Sequence, residues 1–183
     1  MVFTSSATEV WERLSDSLIN DRSLHLVNGA FSKKFYDVAN NLGKKPDIIE
    51  SPWGDLPELP TESQNSYSLI AATHNETSTG VTTPLPTIYK LKEAYPSATL
   101  AVDAVSSLPV VNFDYRKVDT VYASVQKAFG LPAGLGLWLI NGETQELARA
   151  NFADGKVRKS THNIVSLLDQ ANKFQTPSTP NVL

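Results

Sequence analysis

With 183 residues, 41% hydrophobic and 19% charged, the chain has room for one domain with a sizeable core. A formal net charge of −3 leaves no basic footprint for nucleic acid or an anionic membrane, and the lack of cysteine excludes disulfides and thiolate metal sites. No apolar run reaches the length of a membrane span, and no basic-then-apolar leader opens the chain, so the composition suits the cytoplasm.

Val2, Phe3 and Thr4 read as the end of a strand, and residues 6–19 as a helix. Ser6 and Glu9 have the spacing of a capping box, and Val10, Leu14 and Leu18 recur every four residues. Residues 23–27 follow as a strand, 31–43 as a helix stopped by Gly43, and 47–51 as a strand. A polar, proline-bearing loop spans 52–66. Residues 67–74 are an apolar run of strand length. Leu85, Ile88, Leu91 and Tyr95 then share a helical face ended by Pro96. Residues 98–104, 119–124 and 134–141 are three more apolar strands. After Glu143 a helical, polar stretch runs to about Asn172, with residues 154–160 a basic, exposed loop. Near-continuous apolar strands are covered on both faces. Alternated with helices, they predict a three-layer α/β domain, a mainly parallel sheet with helices on both faces. Both ends, "MVFTSS" and "TPSTPNVL", stop abruptly, as in a domain cut from something longer.

Ligands of such sheets gather beyond the carboxyl ends of the strands. The first strand runs into "SSATE", where a helix N-terminus and the hydroxyls of Ser6 and Thr8 suit a phosphate; Ser6 equally suits a plain helix cap. The strand 67–74 ends in "HNETSTG", a cluster of hydrogen-bonding side chains that also reads as a turn. Asp103 ends the next strand between Val102 and Ala104; it needs a cation or several donors, or it forms an Asx-turn. Lys127 follows the strand 119–124 amid small and apolar residues. That context predicts a partly buried amine, the form in which lysine attacks carbonyls. A phosphate site, an aspartate and a nucleophilic lysine on successive strand ends together describe pyridoxal 5'-phosphate (PLP). His25 and His162 lack ligand spacing to a partner, so no metal is expected, and His74 reads as a structural strand-end residue.

The segments "FTSSATE", "HNETSTGV", "VDAVSSLP" and "SVQKAFGLPAGLG" stand in the order, and near the spacing, found in class V aminotransferases of the PLP-dependent fold type I group. The chain resembles that family over nearly its whole length, most of all the phosphoserine aminotransferase branch. The resemblance implies that Lys127 carries the cofactor's aldehyde as an internal aldimine and shuttles a proton. Asp103 would pair with the pyridine nitrogen, and Gln126 and Thr77 would serve the side of the ring bearing the 3-oxygen, with Asn75 a further candidate. Ala7 and Thr8 would hold the phosphate, and Ser124 lies in the same cofactor-contacting set. Phe31 falls where relatives stack an aromatic on the ring, although it also suits the core at a helix start. "FQTPSTPN" resembles a segment whose threonine, here Thr176, reaches the phosphate of the neighbouring subunit.

The implied activity moves an amino group between an amino acid and a 2-oxo acid, in a homodimer that engages neither nucleic acid nor membrane. Residues 1–183 would be a single PLP-binding large-domain core, without the family's N-terminal segment and C-terminal small domain. "SSAT" replaces a Gly- and Arg-rich loop, losing an arginine that helps recognise a phosphorylated substrate. Alanine–glyoxylate (serine–pyruvate) aminotransferase therefore stays open, as do a relative of cysteine desulfurase and a non-catalytic PLP-fold fragment. Cysteine desulfurases place histidine where Gln126 stands, and glutamine cannot titrate near neutral pH, which favours transamination.

Overall fold

The apolar runs assemble into one seven-stranded sheet in the computed structural model, which describes residues 1–59, 65–160 and 163–175. In chain order the strands are β1 (Val2–Thr4), β2 (Arg22–Val27), β3 (Lys45–Glu50), β4 (Leu69–Thr73), β5 (Thr99–Asp103), β6 (Thr120–Ser124) and β7 (Gly136–Ile140). They lie side by side as β1-β7-β6-β5-β4-β2-β3. Every pair is parallel except the two made by β7, which runs against both β1 and β6. The helices are α1 (Ala7–Leu18), α2 (Ala30–Asn41), α3 (Leu85–Ala94), α4 (Gly142–Ala153) and α5 (Ile164–Asn172). The expected three-layer, mainly parallel α/β fold is the fold observed.

Alternation along the strands builds two cores. Leu69, Ala71, Ala101 and Tyr122 pack on one face with Val10, Trp11, Leu14 and Leu18 of α1, Phe35 and Ala39 of α2, and residues of α4 and α5. Ile70, Ala72, Leu100, Val102, Val121 and Ala123 face the other way, onto Ile88 and Leu91 of α3 and onto Leu108, Phe113 and Val118. Each fully buried side chain of this kind stabilises the fold by roughly 2 kcal/mol. Continuing the alternation by one step puts Thr73, Asp103 and Ser124 on the α1–α2 face at the carboxyl ends of their strands. The register agrees: Thr73 pairs with Asp103, and Asp103 with Tyr122.

The stretch after Glu143 is two helices separated by the loop that contains residues 154–160. The second of them is less polar than expected, since α5 buries Ile164, Val165, Leu167 and Leu168. Its apolar residues cluster within only nine positions, too few for a long-period pattern to stand out.

His25, on β2, is buried between the Phe35 and Tyr36 rings, with Nε2 3.0 Å from Ser23 Oγ. Burial pushes its pKa down to about 3. A base held neutral in this way contributes stability above its unfolded pKa of about 6.5, and that contribution is lost as the pH falls toward 3. Relative to His25→Gln, which cannot titrate, the wild-type chain should lose up to ~5 kcal/mol across that window. Urea unfolding at a series of pH values measures the difference; parallel curves for the two proteins would contradict it.

Candidate active site

The carboxyl end of the sheet gathers most of the groups singled out from the sequence. A close approach seats α1 there. A Cβ on Gly136 would fall 2.3 Å from Thr4 Oγ1 and 2.8 Å from the Ser6 carbonyl carbon, so residues 4–6 can cross β7 at this point only over a glycine. The helix then opens beside the end of β6, and the Ala7 N–H donates to Ser124 Oγ at 3.1 Å. Ser6 Oγ caps the helix by accepting the Glu9 N–H. The Glu9 carboxylate reaches back to the Ser5 N–H and hydroxyl, one residue earlier than a strict capping box places it, and also holds Arg13. Thr8 is exposed in the first turn, where an N–H has no carbonyl within the helix to bond. Ser6 is therefore a helix cap, and of the first-turn groups the Ala7 N–H is taken by Ser124 while Thr8 faces solvent.

Asp103 is buried at the end of β5. Its Oδ1 accepts the Val105 N–H at 2.9 Å, the bond of an Asx-turn. The turn does not exhaust the residue, because burial pushes the carboxyl up to about 7. The Val105 N–H, Tyr122 and Trp11 act against that rise, and the negative charge of Glu76 adds to it. Among the described residues no lysine, arginine or histidine pairs with Asp103. A buried carboxylate without a cation suits a protonated ring nitrogen.

Glu76 is a site-shaping residue that sequence reasoning missed, although it stands inside "HNETSTG". It is fully buried, and it accepts the Ser32 N–H at 2.8 Å, the Ser32 hydroxyl at 2.9 Å and the Phe31 N–H at 3.3 Å. From its own loop it accepts the Ser78 N–H at 3.1 Å and the Ser78 hydroxyl at 2.8 Å. Burial pushes its carboxyl up, but these donors outweigh burial and hold it below the usual carboxylate range. The residue thus latches the loop after β4 to the start of α2. Each side of the latch carries a candidate. Phe31, the second residue of α2, is half-buried against the α1–α2 core, with Lys34 Nζ 5.2 Å from its ring centroid. Thr77 is exposed, and its hydroxyl is hydrogen-bonded to that of Ser106 beyond β5. The Asn75 side-chain amide donates to Thr82 Oγ1 at 2.7 Å and so closes its own loop.

Lys127 departs from the sequence expectation of a buried amine. Gln126 and Lys127 are both exposed, in the turn that follows β6. Their apolar neighbours Ala128, Leu131 and Pro132 are exposed as well, because the turn projects past the last ladder pair instead of folding under the sheet. The amine therefore lies at the same end of the sheet as the other groups, but in solvent. Thr176 and His162 fall outside the described residues. His74 is buried edge-on against Phe113 on the opposite face of the sheet, in keeping with its structural reading. A cavity of about 330 Å³, lined by Met1, Tyr115, Val118, Leu139 and Ile140 among others, opens where β6 begins and takes no part in this cluster.

A helix N-terminus, a buried aspartate, polar loops and an exposed lysine thus lie at one end of the sheet. The profile described as "Aminotransferase class-V" matches residues 50–183, and the chain belongs to that family. Phosphoserine aminotransferase of Rhodococcus opacus is 32% identical over 178 residues, which cover 96% of this chain and 46% of that protein. Serine–glyoxylate aminotransferase of Arabidopsis thaliana is 32% identical over 148 residues, 74% of this chain and 37% of that one. A crystal structure of a phosphoserine aminotransferase from Cytophaga hutchinsonii superposes with a TM-score of 0.90 at 42% identity, covering 98% of this chain and 50% of that chain. The chain spans about half the length of the curated relatives it matches.

Proposed function

We propose that this chain is the cofactor-binding core, residues 1–183 as one domain, of a PLP-dependent aminotransferase. The observation that carries the reading is the buried Asp103, which pairs with no cation among the described residues and ends its strand on the sheet face that α1 covers. PLP would supply an aldehyde for the amino group and a ring that draws electrons from the substrate. Asp103 would hold a proton on the ring nitrogen, and the phosphate would lie at the N-terminus of α1 against Ala7 and Thr8, with Ser124 at the end of β6 beside them. Phe31 would cover the ring, and Thr77 and Gln126 would bond the 3-oxygen side. Lys127 Nζ would bind the aldehyde carbon and later take and return the substrate's proton. Thr176 would serve the phosphate of a second copy.

The names of the relatives point to phosphoserine and its 2-oxo acid as one amino acid–oxo acid pair of the full-length protein; we propose further that this protein is a homodimer acting in serine formation in the cytoplasm. The departure at "SSAT" means that a phosphorylated substrate would have to be recognised without an arginine in that loop.

Loading the chain with PLP and reducing it with borohydride tests the reading. The cofactor should become fixed to the peptide that contains Lys127, and Lys127→Ala should abolish the adduct. Label that persists in the alanine variant, or that lands on Lys33 or Lys156, removes Lys127 from its role.

A further inference from the structure

Asp103 has a neighbour on its own face of the sheet that the proposed chemistry leaves unused. Tyr122 is its register partner across the parallel β5–β6 pair, so the two side chains leave the sheet side by side. The tyrosine is fully buried, and its hydroxyl oxygen accepts the Trp11 indole N–H at 2.8 Å. That bond orients the hydroxyl. Its oxygen is engaged by Trp11 from the α1 side, which leaves its proton free to serve another acceptor. Phe35 fixes the pair further: its ring stacks on Trp11 with centroids 5.9 Å apart and meets Tyr122 edge-on at 6.4 Å.

Resting on the cofactor reading of Asp103, we infer that Tyr122, held by Trp11, is a positioning residue that aims the Asp103 carboxylate at the ring nitrogen and favours its charged form. The titratable groups acting on Asp103 are Tyr122 on β6 and Glu76 beyond β4, and α1 contributes only the uncharged Trp11. Burial and the charge of Asp103 push the tyrosine's own pKa well up, so it remains a donor throughout the working pH range. Glu76 opposes it, since its negative charge disfavours ionisation of Asp103. Asp103 therefore stands between a donor that favours the anion and a carboxylate that disfavours it. A fully buried carboxylate gains much from one such donor, because no water replaces a lost bond.

The test is a carbon-13 carboxyl titration of Asp103 by NMR, assigned with Asp103→Asn and run without added cofactor. Tyr122→Phe should raise the Asp103 midpoint by about one pH unit, the scale of one lost hydrogen bond to the charged form. Trp11→Phe should raise it too, because it frees the hydroxyl and also removes the indole's own action on Asp103. Glu76→Gln should move it in the opposite direction. A tyrosine that merely fills space would lower the melting temperature and leave the midpoint where it was, and that result in a folded Tyr122→Phe overturns the inference. If Tyr122→Phe does not fold, 3-fluorotyrosine in place of Tyr122 decides instead: its more acidic hydroxyl is the stronger donor and should lower the Asp103 midpoint, and an unchanged midpoint ends the role. Failure of the wild-type chain to bind PLP would overturn the proposed function instead, and the midpoint shift would still measure the coupling of Tyr122 to Asp103.

Discussion

Asp103→Asn should make the chain more stable at neutral pH and, on the proposed function, slow the cofactor-dependent reaction of the full-length protein. A carboxyl whose folded pKa is raised to about 7 contributes its full stability only below its unfolded value of 3.8. That stability is lost as the pH rises through the folded value. At pH 8 the wild-type chain thus carries a buried anion that costs it ~4 kcal/mol, and asparagine does not ionise. Asparagine keeps an oxygen for the Val105 N–H, so the Asx-turn survives the exchange. The stability gain of the variant, read from urea unfolding, should be near zero below pH 4, grow between pH 4 and 7, and level off above. Asparagine cannot keep a ring nitrogen protonated, so in the full-length protein the proposed transamination half-reaction should slow by about two orders of magnitude or more. Asp103→Glu should retain more activity, since it keeps the charge at some cost in position. An asparagine variant with a flat stability difference and normal turnover would return Asp103 to a simple turn former.

The layered fold was legible because β4, β5, β6 and β7 are short, near-continuous apolar runs and α1 and α3 repeat their apolar residues every three or four positions. The strand ends were legible for the same reason: Asp103 and Ser124 are the first polar residues after a buried run. Two features were not. The exposure of Lys127 depends on the path of residues 125–135 beyond the ladder, and local apolarity does not encode that path. Glu76 was hidden because a glutamate in a polar loop reads as solvated. Its burial arises from contacts 44 to 45 residues away in sequence, at Ser32 and Phe31. Nothing in the sequence pairs Tyr122 with Asp103; the register between β5 and β6 sets the two side by side on one face of the sheet.

Gly29→Ala should be among the most damaging small substitutions in the chain, although alanine is ordinarily mild. Gly29 caps α2 with φ of 169°, an extended conformation that any residue adopts, so backbone strain is not the cause. The cause is space. An added Cβ would fall 2.4 Å from Glu76 Cγ, 2.5 Å from Ser78 Oγ and 2.7 Å from Glu76 Cδ. A surface glutamate would swing aside, but this one is fully buried and pinned by donors from Phe31, Ser32 and Ser78. To admit the methyl group the carboxylate must give up some of those bonds while it stays buried, at a cost of ~3 kcal/mol or more. Denaturant unfolding of Gly29→Ala measures the loss, and amide exchange should show Ser32 and Ser78 losing protection first. Since the latch joins Phe31 to the loop that bears Thr77, the affinity for PLP should fall as well. The decisive comparison is a double-mutant cycle with Glu76→Ala, which removes both atoms that the new Cβ would meet on that residue. Gly29→Ala should cost much less in that background. An equal cost in both backgrounds would show that the glycine is needed for something other than the approach of Glu76.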